Sequence, residues 1–312
     1  MKTTVLCALF MSILYYLPGL VLIGKTSFGE SPKQEQILYP DRQLPFCPAS
    51  QTMEPLLSVP NAERYETGEL RVRIYLHLIR DARGLGGLSM AQLSESLEIL
   101  QEDFRPFGIS FQLEGAIDFI DDQELFEDPN GTGQIIGYRE HHDGIDLYLF
   151  PDHLGQDVPG GGMVLHIPAT AFFLAGHSFE DPKLPLRRSS AISHEMGHCL
   201  GLFHTHHGME QGACEELVNR SNCQTCGDYV CDTPSDPNLF LEVEPEHCTW
   251  SGHATDSRGE SMQPDLHNIM SYTHPRCMLR FTQGQGQRMR YHLLHHPLLK
   301  KCLVNKKPTT PK

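Results

Sequence analysis

The residues best suited to chemistry stand together in residues 194–204, which read His-Glu-Met-Gly-His-Cys-Leu-Gly-Leu-Phe-His. Side chains four positions apart lie on one face of a helix, so His194 and His198 can offer imidazole nitrogens to a single metal ion. The chain must leave the helix before it can bring a third ligand to that ion. Gly201 can end it in a left-handed conformation, which turns His204 back toward the other two histidines. Three neutral imidazoles with one open position are typical of a catalytic zinc site.

Glu195 follows the first of these histidines, where its carboxylate can reach a water molecule on the metal. It would act as a general base and then carry the proton to a leaving amine, while zinc lowers the pKa of the water toward about 7. The spacing therefore predicts hydrolysis of peptide bonds, with no cofactor besides zinc. The competing interpretation, that these belong to an ordinary set of 18 histidines, requires a coincidence found in on the order of a few in ten thousand chains. Surface histidines are far commoner than ligands, so no metal role is assigned to the histidine pairs at 141–142, 206–207 and 295–296.

The apolar pattern predicts the elements that must hold this segment. Alternation and β-branched residues indicate strands over residues 69–79, 109–120, 145–150 and 163–168, the last after a glycine turn at 160–162. The last strand ends in a proline, which places it at a sheet edge. Helical spacing indicates helices from a cap at Ser89 to Pro106, over about 188–200, and over about 283–295.

The region from 201 to about 282 is irregular and rich in Cys, Asp, Pro and Gly. Strands and helices alternate before it. We therefore expect an α+β or α/β upper half that ends near residue 201, and a lower half over 202–302 that bridges and metals hold together.

Composition and the chain ends indicate an exported, globular protein. The chain has 312 residues, 39% of them hydrophobic, and a formal net charge of −14, which argues against a disordered chain and against nucleic acid as a partner. Residues 5–23 form an uncharged apolar run after Lys2, which predicts a signal peptide cleaved near Gly24 rather than a retained membrane anchor. We expect secretion, with glycosylation at Asn130 and Asn219. The predicted boundaries are a signal peptide at 1–24, a Pro-rich leader or propeptide at 25–67, a catalytic domain at 68–302 and a tail at 303–312.

Signal cleavage would remove Cys7 from ten cysteines and leave an odd number, so at least one thiol stays outside intramolecular bridges. Cys199, inside the zinc helix, is expected to be that thiol. Cys47 in the leader has two interpretations. It could occupy the open zinc position and keep the enzyme latent, or it could bridge to Cys302. A further cluster of cysteines consists of Cys214, Cys223, Cys226 and Cys231. The sequence leaves its disulfide pairing open, and its Cys-x-x-Cys part also fits a second zinc site.

The zinc segment resembles that of the metzincin metalloproteases, whose Met-turn is matched by Asn268-Ile269-Met270-Ser271-Tyr272. Within this clan the chain is similar to the pappalysins, the family of pregnancy-associated plasma protein A. The supporting segments are 227–234, 268–272 and 277–282, and the likeness spans roughly 69–302. The resemblance implies a twisted mixed sheet with helices above a horizontal cleft, and an irregular, disulfide-rich lower subdomain with the C-terminal helix. The strand at 163–168 would line the cleft and pair with an extended peptide substrate.

The resemblance also implies roles for residues outside the zinc segment. Met270 would form an apolar floor beneath the histidines, and Tyr272 would stabilise an oxyanion. Asp228 and Thr233 would hold a structural calcium ion, against the alternative of a turn that needs no ion. Cys277 would be bridged to Cys248.

The function predicted from these observations is a secreted zinc endopeptidase that cleaves extracellular proteins or peptides. After signal cleavage it would have no membrane attachment. A catalytically inactive binding protein on the same fold is the alternative, although such proteins usually lose Glu195 or a zinc ligand. A structural zinc domain is a third interpretation, and it would lack an open coordination position.

Overall fold

A computed structural model of the protein describes residues 68–127, 135–151, 161–175, 190–210 and 213–304. The predicted signal peptide, the leader with Cys47, the sequon of Asn130 and most of the predicted tail lie outside the described residues. No helix in the described ranges is long and apolar enough to cross a membrane.

Six strands form one mixed sheet in the order β2-β1-β4-β6-β5, with β3 also paired to β1. All pairings are parallel except the one between β5 and β6. The strands are β1 (Leu70–Arg80), β2 (Ile109–Leu113), β3 (Asp118–Asp121), β4 (Ile145–Leu149), β5 (Gly161–Met163) and β6 (Ala171–Ala175).

The five α-helices of the described residues are α1 (Met90–Phe104), α2 (Gln123–Glu127), α3 (Ala191–Cys199), α4 (Gln283–His295) and α5 (Pro297–Cys302). Helix α1 begins where the sequence predicted, because Ser89 forms a reciprocal capping box with Gln92. It ends before Pro106, after which Gly108 takes a left-handed conformation. Thr282 and Gln285 form the same kind of box at the start of α4.

The main core lies between the sheet and the helices. The alternating residues Val72, Ile74, Leu76 and Leu78 of β1 pack in one cluster with residues of α1, α3 and α4. Burying each such side chain stabilises the fold by roughly 1.5–3 kcal/mol. The opposite face of the sheet carries a smaller cluster that includes Ile79, Tyr148 and Phe150.

Two strand predictions were wrong in detail. The single strand expected at 109–120 is two strands, which pair with successive parts of β1 and are separated around Gly115, whose φ is 68°. The strand expected at 163–168 is instead β5, which covers Gly161–Met163 and lies at one end of the strand order. The glycines were assigned to a turn, yet Gly162 lies in the strand. Only glycine fits at this position, because a Cβ there would collide with Glu195. Pro168 cannot donate a ladder hydrogen bond, so the strand does not extend to it.

The lower part, from Gly201 to the start of α4, is irregular as expected, apart from two short 3₁₀ turns. Disulfides hold it together, which confirms the predicted fold class. They join Cys214 to Cys226, Cys223 to Cys231, and Cys248 to Cys277. The first two pairs resolve the cluster whose connectivity the sequence left open, and they leave no zinc site there.

Two further cysteines are buried in helices. Cys199 lies in α3 with its sulfur 3.7 Å from the Ala171 carbonyl oxygen. Cys302 carries a free thiol, and burial raises its pKa to about 12. Cys47 lies outside the described residues, so its bridge to Cys302 stays a prediction.

Candidate active site

Helix α3 carries the first two predicted ligands and is buried over nearly its whole length. His194 and His198 lie one turn apart, with their Nε2 atoms 3.2 Å from each other. The helix ends at Cys199, and Gly201 follows with a φ of 94°, a conformation that glycine adopts at little cost. This turn brings Nε2 of His204 to 3.0 Å from Nε2 of His198. The structure thus brings the three histidines to one point.

Each of the three histidines is oriented through its Nδ1 atom. A proton on Nδ1 leaves the lone pair of Nε2 directed at the shared point. Burial lowers the pKa of His194 to about 4, and it lowers the pKa values of His198 and His204 well below the ordinary value. Three neutral imidazoles are the donor set of a catalytic zinc site, so these residues fit the ion. The Nδ1 acceptors are the Ile269 carbonyl for His194 at 2.6 Å, the Leu202 carbonyl for His198 at 2.8 Å, and the Glu210 carboxylate for His204 at 3.1 Å.

Glu195 lies in α3 beside His194, and only 5% of it is exposed. Burial raises the pKa of its carboxyl to about 8. Its Oε2 atom has no hydrogen-bond partner within the described ranges. The backbone of β5 runs against the same side chain, since a Cβ on Gly162 would stand 2.3 Å from Glu195 Oε1. A buried carboxylate oxygen without a protein partner is a position that a polar reactant can satisfy.

The segment expected to form the Met-turn packs against α3 from the other side. Met270 is fully buried, and a Cβ on Gly197 would stand 2.6 Å from its sulfur, so the sulfur lies directly against the helix backbone. The ring centroid of Tyr272 lies 4.4 Å from that of His204 and 6.2 Å from that of His194. The structure therefore places Met270 and Tyr272 next to the histidines.

Sequence reasoning missed Glu210, which supports the third histidine. Its Oε1 accepts from Nδ1 of His204, and its Oε2 lies 2.7 Å from Nδ1 of His207. The ring of His206 stacks on that of His204, with centroids 4.8 Å apart and an interplanar angle of 5°. The adjacent histidines thus surround the ligand and its carboxylate partner. No periodic pattern marks Glu210, because it lies in an irregular segment.

Asp236 is a second missed residue, and it joins the zinc segment to the Met-turn. Its Oδ2 accepts from the hydroxyl of Thr205 at 2.6 Å and from that of Ser271 at 2.8 Å. Thr205 follows His204, Ser271 follows Met270, and the Thr205 N–H also donates to the Met270 carbonyl at 3.1 Å. Burial raises the pKa of Asp236, and the hydroxyl donors act in the opposite direction. One buried carboxylate therefore couples the third histidine to the floor of the site.

The residues expected to hold calcium also lie together. The Thr233 hydroxyl donates to Asp228 Oδ1 at 2.9 Å, and both residues are buried. Glu216, which the sequence did not single out, has 3% of its surface exposed, and its carboxylate lies against Gly227, the residue before Asp228. Both of its carboxylate oxygens and Oδ2 of Asp228 lack a partner among the described residues. Burial and the nearby Asp228 raise the pKa of Glu216 to about 8, and burial raises that of Asp228 to about 7.

The predicted disulfide and the second predicted glycosylation site both lie within the described residues. Cys248 and Cys277 are joined, which ties the Met-turn region to the lower loops. Asn219 is exposed, and its Oδ1 accepts from the Ser221 N–H at 3.0 Å. Glycosylation of Asn219 stays a prediction.

Comparison with known proteins agrees with this geometry. The family model described as pregnancy-associated plasma protein-A matches residues 168–294, which include α3, the Met-turn and most of α4. Extracellular metalloprotease 1 of Coccidioides posadasii (strain C735) is 27% identical over 237 residues, covering 70% of this chain and 75% of the relative. An extracellular metalloprotease of Pyricularia oryzae (strain 70-15 / ATCC MYA-4617 / FGSC 8958) is 27% identical over 258 residues, covering 75% and 81%.

Among solved structures, mature mirolysin of Tannerella forsythia in complex with a cleaved peptide has a similar fold. Its TM-score is 0.54 at 18% sequence identity, over 76% of this chain and 97% of the other. The family model and the relatives identify the enzyme class, and the solved structure supports the fold. The chain is a metalloendopeptidase, and over residues 168–294 it is similar to the pregnancy-associated plasma protein-A family, the pappalysins.

Proposed function

We propose that this metalloendopeptidase is secreted and hydrolyses peptide bonds with zinc held by His194, His198 and His204, and with Glu195 as general base. One observation carries the proposal: three Nε2 atoms converge beside a buried carboxylate that has an oxygen without a partner in the described residues. The names of the relatives, which are extracellular metalloproteases, support secretion.

The residues of the site divide the chemistry among them. Bound zinc supplies a Lewis acid for the scissile carbonyl and lowers the pKa of water toward about 7. Glu195 takes the proton of the attacking water and returns it to the leaving amine. Tyr272, packed against His204, donates a hydrogen bond from its hydroxyl to the oxyanion. Met270 fixes the position of α3 through its contact with Gly197.

The substrate is an extended peptide that pairs with β5. This strand ends the strand order of the described sheet, and its Gly162 lies against the Glu195 carboxylate. A peptide added beside it would place a main-chain carbonyl close to the general base, with ladder hydrogen bonds supplying the register. The cleaved peptide in the mirolysin complex supports this choice of substrate.

Removal of zinc is expected to abolish proteolysis. Treatment with 1,10-phenanthroline should stop the cleavage of casein, and stoichiometric zinc should restore it, because the three neutral histidines supply no catalyst without the ion. The measurement is release of peptides from casein before and after chelation. Cleavage that persists in the zinc-free protein would contradict the mechanism, and a complete lack of cleavage by the zinc-loaded protein would favour the inactive binding protein.

We further propose that Glu216, Asp228 and Thr233 hold a structural calcium ion. Two buried carboxylates that influence each other electrostatically have three oxygens without partners among the described residues, and like charges in such a position need a cation or protons. Oxygen donors suit calcium rather than zinc. The surrounding loops have few regular elements, so an ion here would stabilise the lower part.

The Glu216→Gln variant tests this ion. Calcium at about 100 times its Kd should add about 2.7 kcal/mol to the stability of the wild type, which corresponds to a rise in Tm of roughly 5–10 °C for a domain of this size. Glu216→Gln should lose most of that rise. Glu260→Gln, a change at an exposed glutamate of the same lower part, should keep it. Equal calcium responses in the wild type and Glu216→Gln, measured by calorimetry, would exclude the site.

A further inference from the structure

A second group of metal-ligating side chains lies on the outer face of the sheet, away from α3. His77 on β1, Asp146 on β4 and His141 in the loop before β4 direct three donor atoms at one another. Nε2 of His77 lies 2.9 Å from Oδ1 of Asp146, and Nδ1 of His141 lies 2.7 Å from the same oxygen. His77 and Asp146 are almost completely buried. The three zinc-site nitrogens are separated by similar distances of 3.0 and 3.2 Å.

Each member of this second group has its own supporting partner. Nδ1 of His77 lies 3.0 Å from Asp118 Oδ2, and the main-chain N–H of His141 donates to Asp146 Oδ2 at 3.0 Å. The ring of His141 stacks on Tyr75, with centroids 3.5 Å apart and an interplanar angle of 2°. A carboxylate behind a histidine fixes the tautomer and ring orientation of a metal ligand.

The hydrogen bonds limit which species can lie between His77 and Asp146. When His77 donates from Nδ1 to Asp118, its Nε2 presents a lone pair to a carboxylate oxygen that also carries lone pairs. These two acceptors repel each other unless a metal ion, or a second proton on the imidazole, lies between them. Nδ1 of His141 converges on the same oxygen, so the position offers two nitrogens and one oxygen.

The charges around the group also favour a cation. Burial, followed by the charge of Asp146 and then by those of Glu140 and Asp118, raises the pKa of Tyr148, whose ring stacks on His77. Arg139 pairs with Asp118, which contacts Nδ1 of His77, whereas Asp146 contacts Nε2. The position next to Asp146 therefore lies in a negative field.

We propose that His77, His141 and Asp146 bind a second zinc ion, distinct from the catalytic one. Two imidazoles and a carboxylate suit zinc among divalent ions, whereas calcium prefers oxygen donors. The side chain of His141 is 39% exposed and opens the position to solvent. The ion fastens the loop around His141 to β1 and β4. This assignment revises the expectation from the sequence, which gave His141 no metal role.

The test measures zinc bound to the full-length protein by inductively coupled plasma mass spectrometry, after equilibration with zinc in calcium-containing buffer and desalting. The wild type should retain about two zinc ions per chain, and His141→Ala about one. His142→Ala, a matched change at the exposed neighbour, should retain about two. His141→Ala should keep its peptidase activity, which shows that the catalytic zinc is still bound.

Two results would overturn the proposal. The wild type could retain one zinc ion, or His141→Ala could retain as many as the wild type. Either result means that protons, rather than a metal, join His77 to the two carboxylates. Substitution of His141 on a partly exposed loop is preferred to substitution of buried His77 or Asp146, because loss of those side chains endangers folding. A melting curve for His141→Ala with a single transition verifies that the variant folds.

Discussion

Glu195→Gln is expected to reduce kcat by at least about 10²–10⁴-fold, the contribution usual for a general base, while zinc stays bound. Glutamine keeps the volume of the side chain against Gly162, so the strand and helix need not move. It removes the group that takes the proton of the attacking water. Turnover of a fluorogenic peptide gives kcat, and mass spectrometry gives the zinc content of the same sample.

The control for this variant is Glu98→Gln, which makes the same chemical change at an exposed position of α1. It should leave both kcat and zinc content unchanged. A Glu195→Gln protein with normal kcat would show that Glu195 is not the base. Loss of zinc together with activity would instead show that the side chain acts by holding the metal site.

The local part of the site could be predicted from the sequence because its geometry depends on spacing. The distance between His194 and His198 follows from the pitch of a helix, and the return of His204 depends on one glycine that can adopt a positive φ. A capping residue, Ser89, similarly marked the start of α1. These features need no information from distant parts of the chain.

The supporting contacts could not be predicted in this way. Asp236 meets Thr205 and Ser271 only after the lower loops have folded across the site, and no local pattern specifies that path. The position of β5, which begins at Gly161 rather than at Met163, also depends on a contact with a distant part of the chain. Glycines suggest a turn when read locally, but here the absence of a Cβ makes room for the Glu195 carboxylate. Close packing at a functional site therefore overrode the local preference.

Gly201→Ala is expected to have the second large effect, on stability and zinc binding together. An alanine at a positive φ is strained by about 1–2 kcal/mol, and its Cβ would stand 2.4 Å from Cδ2 of the buried His292. Arg288 also donates to the Gly201 carbonyl at 2.8 Å, which leaves the turn little freedom to move aside. The turn carries His204, so its displacement should weaken zinc binding by about tenfold or more. Thermal unfolding and competition with a chromophoric chelator measure the two effects.

Gly259→Ala separates strain from collision, because Gly259 has a φ of 82° and no atom within 4 Å of a built Cβ. It should show the cost of strain alone and leave zinc affinity unchanged. The double variant Gly201→Ala/His292→Ala removes the colliding ring. Its loss of unfolding free energy should therefore be smaller than the sum of the losses in the two single variants. That non-additivity is the measurable coupling between neighbouring side chains. If the effects simply add, or if Gly201→Ala behaves like Gly259→Ala, the collision with His292 does not control the position of the third histidine.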